Sequence, residues 1–143
     1  MNDSPTPSGT DVADRLVAAT NAHDLDALVD CFAPDYVNQT PVHPSRSFIG
    51  REQVRRNWAQ LFAAMPDLQC LVLASAVDGA HVWSEWEMRG TRPDHSAHVM
   101  RGVVVFEVGD QLVRSVRFYL EPVDDGPSTV DDAVAAAVQG APR

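Results

Sequence analysis

Several things are scarce in this chain, and each scarcity removes a class of protein. Its 2 cysteines, Cys31 and Cys70, are too few for a disulfide framework and read as reduced core thiols. No apolar run approaches the roughly 18 to 20 residues that a membrane span needs. The start, Met1 to Gly9, has neither a basic segment nor an apolar one, so it is no secretory signal and a cytoplasmic location is expected. Positive charge is short: the formal net charge is -9, which argues against a nucleic-acid backbone or an anionic membrane as partner. There is no glycine-rich phosphate loop, nucleophile elbow or paired-cysteine motif, so no cofactor is expected. There is no internal repeat.

What remains is globular composition, 45% hydrophobic and 22% charged over 143 residues. That length suits one domain with a sizeable core and is short for two. Residues 1–10 form a Pro/Ser tail expected to be disordered. Residues 11–122 form the domain, and residues 123–143 a polar linker and a short last helix.

Along the domain, Asp11 is a plausible N-cap for a helix with Val12, Leu16 and Ala19 on one stripe. His23-Asp24 interrupts it, and Asp24 caps a second helix that Pro34 ends. Asp35 to Thr40 reads as a short strand closed by Pro41, followed by a loop carrying His43. Gly50 opens an amphipathic helix with Val54, Trp58, Leu61, Phe62 and Met65 on its stripe. Pro66 stops it. Three longer strands follow in hairpin order, with turns at Asp78-Gly79 and Gly109-Asp110. They cover Leu68–Val77, the His81–Gly90 segment and Ser96–Val108, and Leu112–Leu120 completes the meander. After the linker, Ser128 or Thr129 caps a helix with Val130, Val134 and Val138 on one face.

The segment from His81 to Gly90 organises the rest. Read at period two, it sets Val82, Ser84, Trp86, Met88 and Gly90 on one side and Trp83, Glu85, Glu87 and Arg89 on the other. Such a strand belongs to an antiparallel sheet with one walled face. The fold class is therefore α+β, with helices on one face of an antiparallel sheet that curls around them.

The phrases Asn21-Ala22-His23-Asp24-Leu25-Asp26-Ala27-Leu28, Asp35-Tyr36-Val37-Asn38, Phe48-Ile49-Gly50-Arg51-Glu52-Gln53-Val54, Arg89-Gly90-Thr91 and Phe118-Tyr119-Leu120-Glu121-Pro122 occur in an order that resembles the nuclear-transport-factor-2-like superfamily, in its SnoaL-like branch. The resemblance spans about Asp11 to Pro122. It implies a cone-shaped, cystatin-like fold, a curved and mostly antiparallel sheet packed on N-terminal helices around an internal pocket. It also implies a homodimer through the outer sheet face, where Trp83, Glu85, Glu87, Arg101 and Arg117 should project.

The branch includes polyketide cyclases, limonene epoxide hydrolase and ketosteroid isomerase. Tyr36 and Asn38 match the pair that helps hold water in the epoxide hydrolase. Its charged residues fall at Trp86, Met88 and Phe118, all apolar. The isomerase's tyrosine falls at Leu16, its base at Thr40 and its second acid near Gly102 or Val104. The cyclases' acid falls close to Phe118. Missing acids thus argue against the epoxide hydrolase and ketosteroid isomerase mechanisms.

The implied site is a lipophilic cage. Trp86, Met88, Met100, Phe118, Ser84, Val104, Val116, Leu120 and Trp58 would bind a lipophilic small molecule, and Tyr36 and Asn38 would orient it. His98 is the one group on the predicted inner face that changes charge near neutral pH, so it is the candidate for moving a proton. The plainer readings are a filled core, and a His98 bonded to a backbone carbonyl or water. A bulge at Gly90 or Gly102 would exchange the faces and turn Glu87 inward. His95 and His98 beside Asp94 do not make a metal site, because residues three apart on a strand point oppositely. Two functions stay open: a cofactor-free cyclase- or isomerase-like enzyme, and a non-catalytic carrier with the same pocket.

Overall fold

The computed structural model describes residues 9–140. Positions 1–8 of the expected tail lie outside the described residues, and from Gly9 the chain is already helical. Helix α1 (Gly9–Ala22) buries Val12, Leu16 and Ala19, the predicted stripe. Asp11 lies in its first turn, where its charge favours the helix dipole, and is not the N-cap.

Helix α1 ends in a Schellman motif. Asp24 N–H donates to Ala19 O at 3.0 Å and His23 N–H to Thr20 O at 3.1 Å, with His23 in the left-handed region at φ 54°. Its ring stacks on Phe62 at 4.4 Å and its Nε2 lies 2.8 Å from Leu68 O, contacts that hold this conformation. Asp24 then caps helix α2 (Leu25–Asp30), accepting from Ala27 N–H at 3.1 Å. The break is thus one residue closing a helix and the next opening another.

Strand β1 (Phe32–Gln39) starts earlier than the sequence suggests, and Pro34 lies within it and does not end α2. Pairing with the last strand is irregular between Phe32 and Val37, so Pro34 sits where no ladder donor is required. A 3-10 turn (Pro44–Arg46) lies in the stretch read as a loop, and a two-residue strand β2 (Phe48–Ile49) follows it. Gly50, at φ 96°, donates to Tyr36 O at 2.7 Å and begins helix α3 (Arg51–Ala64). That positive φ is a glycine conformation.

Strands β3 (Gln69–Asp78), β4 (His81–Thr91), β5 (Ala97–Gly109) and β6 (Leu112–Pro122) form the antiparallel meander. The 6-stranded sheet has the order β2-β1-β6-β5-β4-β3, with β1 parallel to β6, and is curved without closing. Helix α1 is fastened to the β3 edge by Asn21, whose side chain donates to Cys70 O at 3.0 Å and accepts from Cys70 N–H at 2.7 Å. An amide here supplies what a neighbouring strand would have supplied.

The core lies between the concave face and the helices. Leu28, Leu68, Val82 and Val113 are fully buried there, each contributing about 1.5–3 kcal/mol. Of the two cap candidates for helix α4 (Val130–Gln139), Ser128 and Thr129, it is Thr129 that caps, in a reciprocal box with Asp132. Its valines are uncovered, Val130 at 75% and Val138 at 81% exposure, so α4 adds nothing to the core.

Candidate functional site

The β4–β5 register runs unbroken from His81 opposite Glu107 to Thr91 opposite Ala97. No bulge at Gly90 or Gly102 exchanges the faces. Gly102 serves a close approach instead: a Cβ there would lie 2.1 Å from Tyr119 O. Glu87 stays on the outer face between Arg89 and Arg101, the latter at 3.1 Å, and these guanidiniums hold its carboxyl below the usual range. Arg117 covers the Trp83 ring, its Cζ 5.5 Å from the ring centroid.

On the concave side the same alternation lines a cavity of about 270 Å³. That is close to the roughly 300 Å³ at which ligand pockets begin. Tyr36 and Asn38 of β1, Trp86 and Met88 of β4, Val104 and Phe106 of β5, and Val116, Phe118 and Leu120 of β6 form one wall. Leu16 and Thr20 of α1 and Val54, Asn57, Trp58 and Leu61 of α3 form the other. Arg46 and Phe48 come from the segment before α3.

Two devices fix the polar groups. Tyr36 O–H donates to Asn38 Oδ1 at 2.8 Å, a pair made possible by residues two apart on one strand face. Burial pushes the Tyr36 phenol well above its ordinary range, so it stays a neutral donor. Ser84 Oγ donates to Val104 O at 2.8 Å and accepts from Trp86 Nε1 at 2.7 Å. That satisfies the indole N–H and aims the ring. Ser84, expected among the substrate contacts, therefore lies behind the cavity wall and positions Trp86.

Two other expected contacts lie elsewhere. Met100, half-buried opposite Met88, is not part of the lining. His98 lies two residues further from the cavity on β5, opposite Gly90. Its Nδ1 is 3.3 Å from Arg92 Nη2, and its Nε2 is buried without a partner among the described residues. Desolvation, then the Arg92 charge, hold its pKa below the ordinary value. Concave-face parity identified the side of the sheet correctly for His98 but not its distance along the strand.

No lining side chain is an acid or base that titrates near neutral pH, and Arg46 is the one charged group among them. Among the described residues, no three His, Cys, Asp or Glu side chains are grouped as a metal would require. Burial raises both thiols, Cys70 to about 11, so neither is a reactive thiolate.

Some of the lining was missed in the sequence. Phe106 follows Val104 at strand spacing and was legible by the same parity. Asn57, three residues after Val54, is a polar residue on an apolar helix stripe, which is itself a signal. Arg46 comes from a short turn with no periodicity, and nothing local marks it.

A SnoaL-like domain model matches residues 13–116. Among solved structures, IdmH from Streptomyces antibioticus, a candidate polyketide cyclase, superposes with a TM-score of 0.70 at 22% identity, covering 80% of this chain and 93% of that one. A candidate SnoaL-like polyketide cyclase from Shewanella denitrificans gives 0.68 at 13% identity, with 81% and 92% coverage. A candidate ketosteroid isomerase from Kribbella flavida gives 0.65 at 21% identity, with 85% and 83% coverage. At these identities the structures establish the fold alone. No curated protein matches the chain. The match over most of the domain, together with the curved sheet, helices and element order described above, places this chain in the SnoaL-like domain family.

Proposed function

We propose that the chain binds a lipophilic small molecule in this cavity and acts on it without a cofactor, in a cyclase- or isomerase-like manner. The observation that carries this is an apolar cage around one oriented polar pair. Trp86, Met88 and Phe118 enclose, while Tyr36 and Asn38 present a donor to a ligand carbonyl. The relatives named as candidate polyketide cyclases point the same way. With no proton carrier on the lining, rate enhancement comes from confining the ligand in a reactive conformation and polarising its carbonyl. His98 takes no part in this reading.

The absence of a titratable lining group also favours a second reading, a carrier that leaves its ligand unchanged. The double variant Tyr36→Phe with Asn38→Leu separates them. It keeps the size of both side chains and removes the donor, whichever of the two carries it. If products from a panel of linear polyketone substrates fall at least tenfold with affinity retained, the enzyme reading holds. Substrate recovered unchanged from the unaltered protein, despite tight binding, supports the carrier instead.

Dimerisation through the outer face fits the exposed Leu71, Leu73 and Trp83. Sedimentation of Trp83→Glu tests it, with a shift from dimer to monomer expected. Unpaired, buried Cys31 and Cys70 fit a cytoplasmic location.

A further inference from the structure

The polar groups on the cavity lining are unequally used. Thr20 Oγ1 donates to Leu16 O at 2.7 Å and Thr40 Oγ1 to His43 O at 2.7 Å, so both hydroxyl hydrogens are taken by the protein. Asn57 Oδ1 accepts from Gln53 Nε2 at 2.7 Å, which leaves its amide N–H groups without a partner among the described residues. Asn38 Oδ1 accepts from Tyr36, and the Asn38 amide nitrogen has no partner among the described residues. Exchanging the Asn38 amide atoms would only transfer the spare donor to the tyrosine hydroxyl.

Arg46 is the second asymmetry. It lines the cavity, and neither an ion pair nor a hydrogen bond to the rest of the described chain engages its guanidinium. Most other arginines have such a partner: Arg55 with Asp26, Arg89 and Arg101 with Glu87, Arg114 with Asp110. In a chain of formal net charge -9, the one charge on the cavity lining is nevertheless positive and uncompensated. Arg46 is exposed, so it stands at the cavity's open side and keeps water there. A cationic ligand would be repelled by it, and a purely hydrocarbon one would leave the Asn38 and Asn57 N–H groups without acceptors.

We infer that the ligand is a lipophilic anion, an apolar body whose carboxylate or equivalent anionic oxygens meet Arg46 and whose carbonyl meets Asn38. The inference rests on the cavity being a binding site and specifies the ligand class for it. A guanidinium is suited to this because its forked N–H groups match a carboxylate and its charge is constant across the physiological range.

Two fluorescent probes of nearly equal shape test it on the full chain: 8-anilinonaphthalene-1-sulfonate, an anion, and N-phenyl-1-naphthylamine, its uncharged parent. Binding is read from probe emission and from energy transfer out of tryptophan. The sulfonate should bind more tightly than the amine, and Arg46→Gln should reduce that preference about fivefold, the scale of an exposed ion pair. Arg51→Gln, a nearby arginine off the lining, should leave the preference unchanged. Arg46→Gln should also leave the thermal midpoint unchanged, since Arg46 holds no other part of the fold. A preference that survives Arg46→Gln, or tighter binding of the amine, overturns the inference while leaving the cavity a binding site. Binding of neither probe overturns both.

Discussion

The two ends of the concave face share one alternation and have opposite fates. At one end Trp86, Phe106, Phe118 and Tyr36 surround open space. At the other, the chain leaving α3 turns Met65 and Leu68 onto the sheet, and both are buried. A Cβ at Gly90 would meet Leu68 Cδ1 and Met65 Sδ at 3.1 Å each, so no room is left beside that strand position. His98, opposite Gly90, is at this filled end. The lesson is that inward-facing parity is necessary for a site and does not suffice. A helix must also stand off the sheet.

The contrast can be tested by substitution, starting with the largest effect. Leu68→Ala should cost about 3 kcal/mol, because it empties a fully packed position, as measured by urea unfolding. Ser84→Ala should cost about 2 kcal/mol, since Trp86 Nε1 and Val104 O lose their buried partner. It should also weaken ligand binding, because the indole is no longer aimed. Phe118→Ala, already facing the cavity, should cost only about 1 kcal/mol while lowering probe affinity most. A loss equal to that of Leu68→Ala would mean the two ends are packed alike. Gly90→Ala should cost about 1 kcal/mol, as the flexible Met65 thioether yields to the added methyl.

The smallest effect is a pH dependence. His98 has a lowered pKa in the folded chain, so the unfolded chain binds its proton more readily. The resulting stability is whole above the ordinary histidine value and is lost as pH falls from about 7 toward 5. Thermal midpoints across that window should fall less in His98→Gln than in the unaltered protein. Probe affinity should be the same in both. An affinity lost with His98 would place the imidazole back in the site.

Much of this was legible in the residues themselves. Asp24 announced its helix start through a side-chain cap, and the Ser128-Thr129 pair announced the last helix; Asp24 and Thr129 make those bonds. Alternation in β4 put Trp86 and Met88 inside and Glu87 outside, as observed. Pro34 misled because a proline's effect depends on whether its missing N–H falls at a ladder position, and here that is set by an irregular pairing with a distant strand. His98 misled because alternation reports direction and not depth.

Side-chain alternation, helix caps and turn residues act within a few positions of one another, so the sequence alone determined the main helices, the four strands of the meander and which face of those strands looks inward. The cavity is different in kind. It is the space left when α1 and α3 stand away from one end of a curved sheet that Met65 and Leu68 close at the other. Segments far apart in the chain set that separation. Only the tertiary structure, therefore, decided that Arg46 borders the cavity and that His98 does not.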